Sequence, residues 1–166
     1  MSPKARTDSV DWMRGQWEAQ GEPGAPQFTA MVSLLRTTVV VSAEVDRVLK
    51  KSKLTRTAYL VMVTLHMSPD GVRPLGQLSK VLLVHPTTVT MVVDQLEETG
   101  LVVRKPHPSD RRTVLACLTE KGTEAVKEAS SALSEMDYGF KGTGDQEADD
   151  LTDTLRRVRE GLGDLG

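Results

Sequence analysis

The stretch that decides the fold is HPTTVTMVVDQLEETGLVVRKPHPSDRRTVLACL, residues 85–118. Its first half has apolar residues at helical spacing, with Pro86 at the start and Gly100 at the end, where these residue types commonly begin and end helices. Its second half contains two runs rich in β-branched and apolar residues, 101–105 and 112–118, joined by a turn with several basic side chains. The pattern predicts a helix followed by a two-stranded hairpin.

A second helix is predicted directly before this stretch. It begins at Pro74 and carries apolar residues at helical spacing up to Leu82, and residues 83–85 then turn the chain into the next helix. Two helices joined by so short a turn form a helix-turn-helix unit. A helix that starts with small hydroxyl side chains can enter a DNA major groove, and a stiff basic hairpin beside it can reach the adjacent minor groove. The sequence therefore predicts a winged helix-turn-helix that binds DNA.

Further helices are predicted on both sides of this unit. An amphipathic helix over 8–20 is separated by a glycine- and proline-rich linker from a long helix over 27–50, whose middle, 31–41, should be buried on several sides. The other helices are predicted over 56–67, from the N-cap Thr119 to about Phe140, and along a stripe of Leu151, Leu155, Val158, Leu162 and Leu165. The residues expected to face the core are Tyr59, Leu60, Met62, Val63, Leu75, Leu78, Val81, Leu82, Val89, Val92, Val93, Leu96, Ala125, Ala129, Leu133 and Met136. The predicted fold class is mainly α with a small β-wing.

The charge of the chain is small but unevenly distributed. The net charge is −2 at pH 7, yet residues 71–118 contain six basic against four acidic side chains, whereas residues 119–166 contain six against twelve. The first seventy residues contain nine against seven. A mildly basic middle permits a nucleic-acid partner without requiring one.

The composition favours an intracellular protein. No stretch approaches the roughly 18 to 20 apolar residues that a membrane span requires, and the N-terminus lacks the apolar segment of a secretory signal. A single cysteine cannot form an internal disulfide, which suits a reducing compartment. We therefore expect a cytoplasmic protein that does not interact with membranes.

No motif in the sequence points to catalysis. The chain has no G-x-S-x-G, P-loop or G-x-G-x-x-G motif, and His66, His85 and His107 lack the spacing and the neighbouring ligands of a metal site. Cys117 lies in a predicted apolar strand, where a buried and inert thiol is expected rather than a redox switch. We expect a protein that is not an enzyme and has no metal or cofactor.

Residues 54–129 resemble the MarR family of bacterial transcription regulators. The resemblance rests on Asp110-Arg111-Arg112 in the hairpin turn, on the LTEKG segment at 118–122 and on DQLEETGLVVRK at 94–105. It implies a homodimer whose two winged helix-turn-helix domains read a pseudo-palindromic operator in double-stranded DNA. It also implies control by a small-molecule effector bound between the dimer helices and the DNA-binding domain.

The resemblance divides the chain into three kinds of segment. They are an N-terminal extension with a short helix and linker (1–26), dimerisation helices (27–53 and 119–166) and the winged helix-turn-helix domain (54–118). The extra N-terminal helix, with Trp17, resembles the urate- and phenol-responsive branch of the family. Leu60 and Val92 stand, however, where that branch has an acidic residue and an arginine. We therefore interpret this helix first as a scaffold of the dimer.

The candidate DNA-binding residues lie on the second helix of the helix-turn-helix and on the hairpin. They are His85, Thr87, Thr88, Thr90, Met91, Arg104, Lys105, Arg111 and Arg112. Hydroxyl and imidazole groups can contact base edges or phosphates, a methionine can contact a thymine methyl group, and arginines can enter a minor groove. Solvated turn charges and a capped helix start are the alternative explanations. Asp110 is expected to pair with Arg112 or Arg104 and to hold the wing in shape.

The candidate ligand-binding residues are aromatic, apolar or imidazole side chains outside the wing. They are Trp17, Tyr59, Met62 and His66, with Trp12 and Met31 as further wall residues. Plain core packing, or a surface position for His66, is the alternative explanation.

The leading functional hypothesis is a homodimeric, sequence-specific transcriptional repressor released by a small-molecule ligand. A winged-helix dimer that acts as a protein-interaction adaptor without binding DNA is the main alternative, because the second helix of the helix-turn-helix has no arginine or lysine and the net charge is negative. An enzyme fragment dimerised by a winged helix is a second alternative, against which the absence of a cofactor-binding glycine loop counts.

Overall fold

The computed structural model describes residues 8–164, which form two compact units with a boundary between residues 44 and 45. Within that range the helices are α1 (Ser9–Ala19), α2 (Ala25–Leu49), α3 (Arg56–His66), α4 (Leu75–Leu82), α5 (Pro86–Glu98), α6 (Glu120–Ser134) and α7 (Asp145–Gly161). The strands are β1 (Val72–Pro74), β2 (Val102–Pro106) and β3 (Val114–Leu118). The mainly α fold class with a small β-wing is confirmed. Leu165 of the predicted stripe and residues 1–7 of the predicted extension lie outside the described residues.

In the first unit, α1 and the first turns of α2 are held together by aromatic packing. α1 begins after Asp8, whose carboxylate accepts the backbone N–H of Val10 at 2.6 Å and so caps the helix. The Trp17 ring stacks on Phe28 with 3.9 Å between ring centroids, and its indole N–H donates to the Pro23 carbonyl at 3.0 Å. The predicted linker therefore forms a tight, hydrogen-bonded connection between the two helices.

The middle of α2 is exposed in a single copy of the chain. Its exposed large apolar side chains are Met31, Leu34, Leu35, Val39 and Val40. The expectation that this segment is buried on several sides is wrong for one chain, because these side chains stay accessible to solvent.

The helical segment Ala25–Ser52 is also long and apolar enough, by length and composition, to cross a membrane. The mean hydropathy of an 18-residue window within it is 1.4. The expectation that no stretch approaches such a span is therefore wrong. Serines and threonines interrupt the apolar run in the sequence without lowering its average hydropathy below the range of membrane-spanning helices.

The core of the second unit lies among α3, α5, α6 and the sheet. The predicted inner face of α5, formed by Val89, Val92, Val93 and Leu96, is entirely buried. Two predicted core residues on the neighbouring helices are exposed: Leu60 on α3 and Val81 on α4.

The reason for the exposure of Leu60 is helical geometry. The buried stripe of α3 is formed by Ala58, Val61, Met62 and Leu65, and residues two apart point about 200° away from each other, so Leu60 lies opposite this stripe. The eight residues of α4 bury one side centred on Leu78.

The sheet is antiparallel, with the strand order β1-β3-β2. In the central strand β3, Cys117 pairs with Val72 of β1 and with Val103 of β2 and is buried, as predicted. β1 was not predicted, because it has only three residues and its pairing partner lies far along the chain.

The helix predicted from Thr119 to about Phe140 ends at Ser134. Asp137 and Tyr138 both have φ of 52°, and with Gly139 they form a short 3-10 turn that redirects the chain. An α-helix cannot contain backbone in this left-handed conformation, and side-chain periodicity does not reveal it.

Thr119 connects the exit of the wing to the end of α5. Its side-chain oxygen lies 2.9 and 3.1 Å from the carbonyl oxygens of Gly100 and Leu101, and it accepts the backbone N–H of Gly122 at 2.9 Å. The backbone N–H of Thr119 donates to the Leu101 carbonyl at 3.1 Å. Lys121 donates to the Thr99 carbonyl at 2.7 Å and so caps the C-terminal end of α5. The start of α6 thus satisfies carbonyl groups of residues 99–101, the segment that follows α5.

Gly122 is required at this junction because the backbones approach closely. A Cβ atom at this position would lie 2.1 Å from the carbonyl oxygen of Leu101. We predict that Gly122→Ala lowers the free energy of unfolding by about 2–3 kcal/mol, the usual cost of forcing an extra group into a packed site.

Urea denaturation at a fixed protein concentration measures this effect. Gly15→Ala is the matched control, because Gly15 lies inside α1 and an added Cβ would meet nothing within 4 Å; it should leave stability unchanged or raise it slightly. Equal denaturation midpoints for Gly122→Ala and the unmodified protein would contradict the assigned role of the junction.

Candidate nucleic-acid interface

The outer face of α5 is polar at its start and carries no basic residue. His85 is the N-cap, and its Nδ1 accepts the backbone N–H of Thr87 at 3.3 Å. A neutral imidazole that accepts at Nδ1 carries its proton on Nε2, so His85 presents one hydrogen-bond donor. Thr88 is exposed and Met91 is 58% exposed. These side chains are accessible to a partner that approaches the beginning of α5.

Two further positions complete this face. The Thr90 hydroxyl donates to the Pro86 carbonyl at 3.1 Å, a bond that leaves its oxygen able to accept. Gln95 follows Met91 by one helical turn and is also exposed. Gln95 was not among the DNA-binding residues predicted from the sequence. Its spacing of four residues from Met91 could have placed it on the same helix face, and its amide can read an adenine edge.

Arg104 holds the wing against α5. Its guanidinium donates to the Asp94 carboxylate at 2.5 Å, to the Glu97 carboxylate at 2.9 Å and to the Thr90 carbonyl at 3.1 Å. Its backbone N–H donates to the other oxygen of Glu97 at 2.9 Å. Partial burial opposes the charge, but the hydrogen bonds to Asp94 and Glu97 outweigh it and raise the pKa of the Arg104 guanidinium. We call Arg104, Asp94 and Glu97 the wing clamp.

The wing clamp changes the assignment of the two basic residues on β2. Both were expected as candidates for contact with the DNA backbone. Two guanidinium nitrogens of Arg104 donate within the protein and its side chain is only 23% exposed, whereas Lys105, the next residue of the strand, is exposed.

The turn of the wing is organised by Asp110 and His107. One oxygen of Asp110 accepts the backbone N–H of Arg112 at 3.0 Å, and the other accepts the Thr113 hydroxyl at 2.6 Å. The Thr113 hydroxyl first, and then the Arg112 N–H, lowers the pKa of this carboxyl group. Nδ1 of His107 lies 3.3 and 3.2 Å from the backbone nitrogens of Ser109 and Asp110 and accepts from them.

Asp110 therefore shapes the wing through the Arg112 N–H and the Thr113 hydroxyl and not through a guanidinium. The expectation that it pairs with the Arg112 or Arg104 side chain is wrong, because Asp110 accepts from the backbone N–H of Arg112 and the Arg104 guanidinium binds Asp94 and Glu97. Arg111 and Arg112 are left exposed at the tip of the wing.

A cavity of about 600 Å³ lies between the start of α4 and the turn of the wing. Its polar lining residues are Gln77, Lys80, His107, Arg112 and Thr113. The concentration of basic side chains suits an anionic group such as a DNA phosphate. Sequence reasoning did not single out Gln77 or Lys80, because their proximity to the wing depends on the tertiary fold.

The sequence-predicted ligand residues lie in different surroundings. Trp17 belongs to the first unit, where it stacks on Phe28. Tyr59 and Met62 are buried in the core of the second unit, and the Tyr59 hydroxyl is 3.0 Å from Ser130 Oγ on α6. His66 is exposed at the end of α3. Over residues 8–164, no group of three or more histidine, cysteine or carboxylate side chains is arranged to hold a metal ion.

Known proteins share this arrangement. The MarR family model matches residues 54–114. Sco5413, a MarR family transcriptional regulator from Streptomyces coelicolor, is 36% identical with a TM-score of 0.77, and the match covers 86% of this chain and 99% of that chain. CouR from Rhodococcus jostii RHA1, solved with p-coumaroyl-CoA bound, is 29% identical with a TM-score of 0.67, covering 75% of this chain and 87% of CouR.

A further relative is also a helix-turn-helix transcriptional regulator. The HTH-type transcriptional regulator MhqR of Bacillus subtilis is 29% identical over 119 residues, which is 71% of this chain and 81% of MhqR. The family match coincides with the helix-turn-helix and most of the wing, and the match to Sco5413 extends over nearly its whole length. The chain therefore belongs to the MarR family of winged-helix, DNA-binding transcriptional regulators.

Proposed function

We propose that the chain is a homodimeric, sequence-specific regulator that represses transcription and is released from its operator by a small-molecule ligand. The proposal rests on one observation: two accessible elements lie side by side in the winged helix-turn-helix domain. The polar start of α5 and the basic tip of the wing are joined by the wing clamp. Base reading is assigned to His85, Thr87, Thr88, Thr90 and Met91, and backbone or minor-groove contact to Lys105, Arg111 and Arg112.

The homodimer is supported by apolar surface that a single copy leaves accessible. The middle of α2 exposes five large apolar side chains, and α7 exposes Leu151, Val158 and Leu162 along one stripe. Contiguous apolar surface of this kind marks an interface. A second copy that covers α2 also accounts for the hydropathy of this helix without a membrane, in keeping with a cytoplasmic protein.

The dimer would set the distance between two recognition helices. Two half-sites one DNA turn apart require the α5 helices to be separated by roughly 34 to 36 Å. A ligand that binds more tightly to a dimer with a different separation shifts the population away from DNA. Because CouR was solved with a coenzyme A thioester, a small-molecule effector is proposed here too. The candidate ligand residues remain Trp17 in the first unit and Tyr59, Met62 and His66 in the second, of which Met62 is fully buried in the unliganded core.

A protein-interaction adaptor is the second candidate function. The observation that favours it is the absence of any lysine or arginine from α5, whose last turns instead carry Asp94, Glu97 and Glu98. An electrophoretic mobility shift with the DNA upstream of the chain's own gene separates the two functions. The regulator gives a shift that weakens steeply with added salt; the adaptor gives none at any salt concentration.

The tip of the wing should control the electrostatic part of binding. We predict that Arg111→Ala with Arg112→Ala lowers operator affinity roughly tenfold or more and reduces the slope of log K against log salt by about 1–2, because phosphate and minor-groove contacts are lost. Lys141→Ala with Arg157→Ala removes the same charge outside the winged helix-turn-helix domain and is the matched control. Equal affinities for the two double variants would show that the wing does not contact DNA.

The two basic residues of β2 should contribute to DNA binding in different ways. We predict that Lys105→Met reduces the salt slope by about one unit, as for the loss of one phosphate contact. Arg104→Met should weaken binding without changing the slope, because it breaks the wing clamp and removes no phosphate contact. Fluorescence anisotropy over a salt series measures both. A reduced slope for Arg104→Met would place its guanidinium on DNA instead.

The dimer should depend on the apolar middle of α2. Val39 is 69% exposed on α2 and Val81 is 55% exposed on α4, so the same substitution can be made at both. We predict that Val39→Glu dissociates the dimer in sedimentation equilibrium, because a carboxylate would be buried without a partner. Val81→Glu should leave the dimer intact. A dimer that survives Val39→Glu would argue against α2 as its interface.

A further inference from the structure

A second cavity lies entirely within the first unit, between α1, the turn after it and the first turns of α2. Its volume is about 330 Å³, at the lower end of the range for small-molecule sites. The lining residues are Trp12, Met13, Gln16, Trp17, Gln20, Glu22 and Phe28. Trp12 and Trp17 are candidate ligand residues that belong to this lining, whereas Tyr59, Met62 and the proposed DNA contacts lie in the second unit.

The walls of this cavity are aromatic and held in place. Trp17 is fixed on two sides, by the stack on Phe28 and by the hydrogen bond from its indole N–H to Pro23. Trp12 is 60% exposed although tryptophan is a large apolar side chain. The face of an indole ring is electronegative and is the strongest aromatic partner for a cation.

The charge of the cavity is negative. Glu22 is exposed, and no basic side chain among residues 8–164 forms an ion pair with its carboxylate. The lining contains no lysine, arginine or histidine. Arg14, the basic residue of α1, is paired with Glu18 at 2.9 Å. An anionic ligand would meet a carboxylate with no cation to compensate it.

We propose that this cavity, the aromatic–acidic pocket, binds a small lipophilic organic cation such as a substituted quaternary ammonium. The rings of Trp12 and Trp17 contact the cationic headgroup, the Glu22 carboxylate neutralises its charge, and Met13 with Phe28 accommodates its apolar part. A quaternary ammonium needs no hydrogen-bond acceptor, which suits a pocket whose walls are mainly apolar. The site differs in ligand charge from a pocket for phenolic or purine anions.

The test uses the full-length protein and benzyltrimethylammonium as the probe. Quenching of tryptophan fluorescence at constant ionic strength should be saturable with this cation, whereas benzyl alcohol and phenylacetate, its neutral and anionic counterparts, should bind at least fivefold more weakly. One cation–π or ion-pair contact of about 1 kcal/mol corresponds to that factor.

Variants then assign the binding to the pocket. Glu22→Gln and Trp12→Leu, both at exposed positions, should each weaken the binding of benzyltrimethylammonium about fivefold or more. Asp11→Asn removes the same charge from α1 outside the lining and should change it less than twofold. Circular dichroism verifies the fold of every variant.

Three results would overturn the proposal. They are phenylacetate binding as tightly as the cation, unchanged affinity in Glu22→Gln, and no saturable binding of the cation. The last result is expected if a second copy of the chain covers Trp12 in the dimer.

Discussion

The winged helix-turn-helix domain depends on one constraint, the close approach of the start of α6 to the end of α5. Thr119 contacts the carbonyl groups of Gly100 and Leu101 and caps α6 through Gly122, which has no Cβ to collide with the Leu101 carbonyl. Because the wing leaves α5 at Gly100 and returns at Thr119, this junction closes the hairpin at its base. The orientation of the wing relative to α5 is thereby fixed before any DNA contact is made.

The wing clamp fixes the wing to α5 at a second point, away from the junction with α6. Arg104 on β2 bridges two carboxylates and a backbone carbonyl of α5, while Asp110 and His107 shape the tip through backbone N–H groups. The charges of Arg104 and Asp110 are thus engaged within the protein. Lys105, Arg111 and Arg112 are exposed and accessible to a polyanion. In the proposed function this division compensates for a recognition helix that lacks basic residues: α5 would supply shape and neutral polar groups, and the wing would supply charge.

Local chemistry made most of the fold predictable. Thr55 and Thr119 mark helix starts, Gly100 marks a helix end, and the apolar spacing of α5 identified its buried face without error. Features that depend on distant partners were missed. β1 exists only because β3 pairs with it, and the wing clamp joins residues on a helix and a strand whose alignment no spacing rule gives. The exposure of α2 could not be read from hydropathy, which does not distinguish a helix buried in the core of its own chain from an apolar helix that its own chain leaves exposed.

The proposed function requires two identical winged helix-turn-helix domains at a fixed separation on one face of the DNA. Hydroxyl-radical footprinting on an operator selected from the chain's own upstream DNA tests this requirement most directly. The account predicts two protected patches related by a dyad, with centres about 10 bp apart, and additional minor-groove protection where each wing lies. A single patch, or two patches without dyad symmetry, would contradict it.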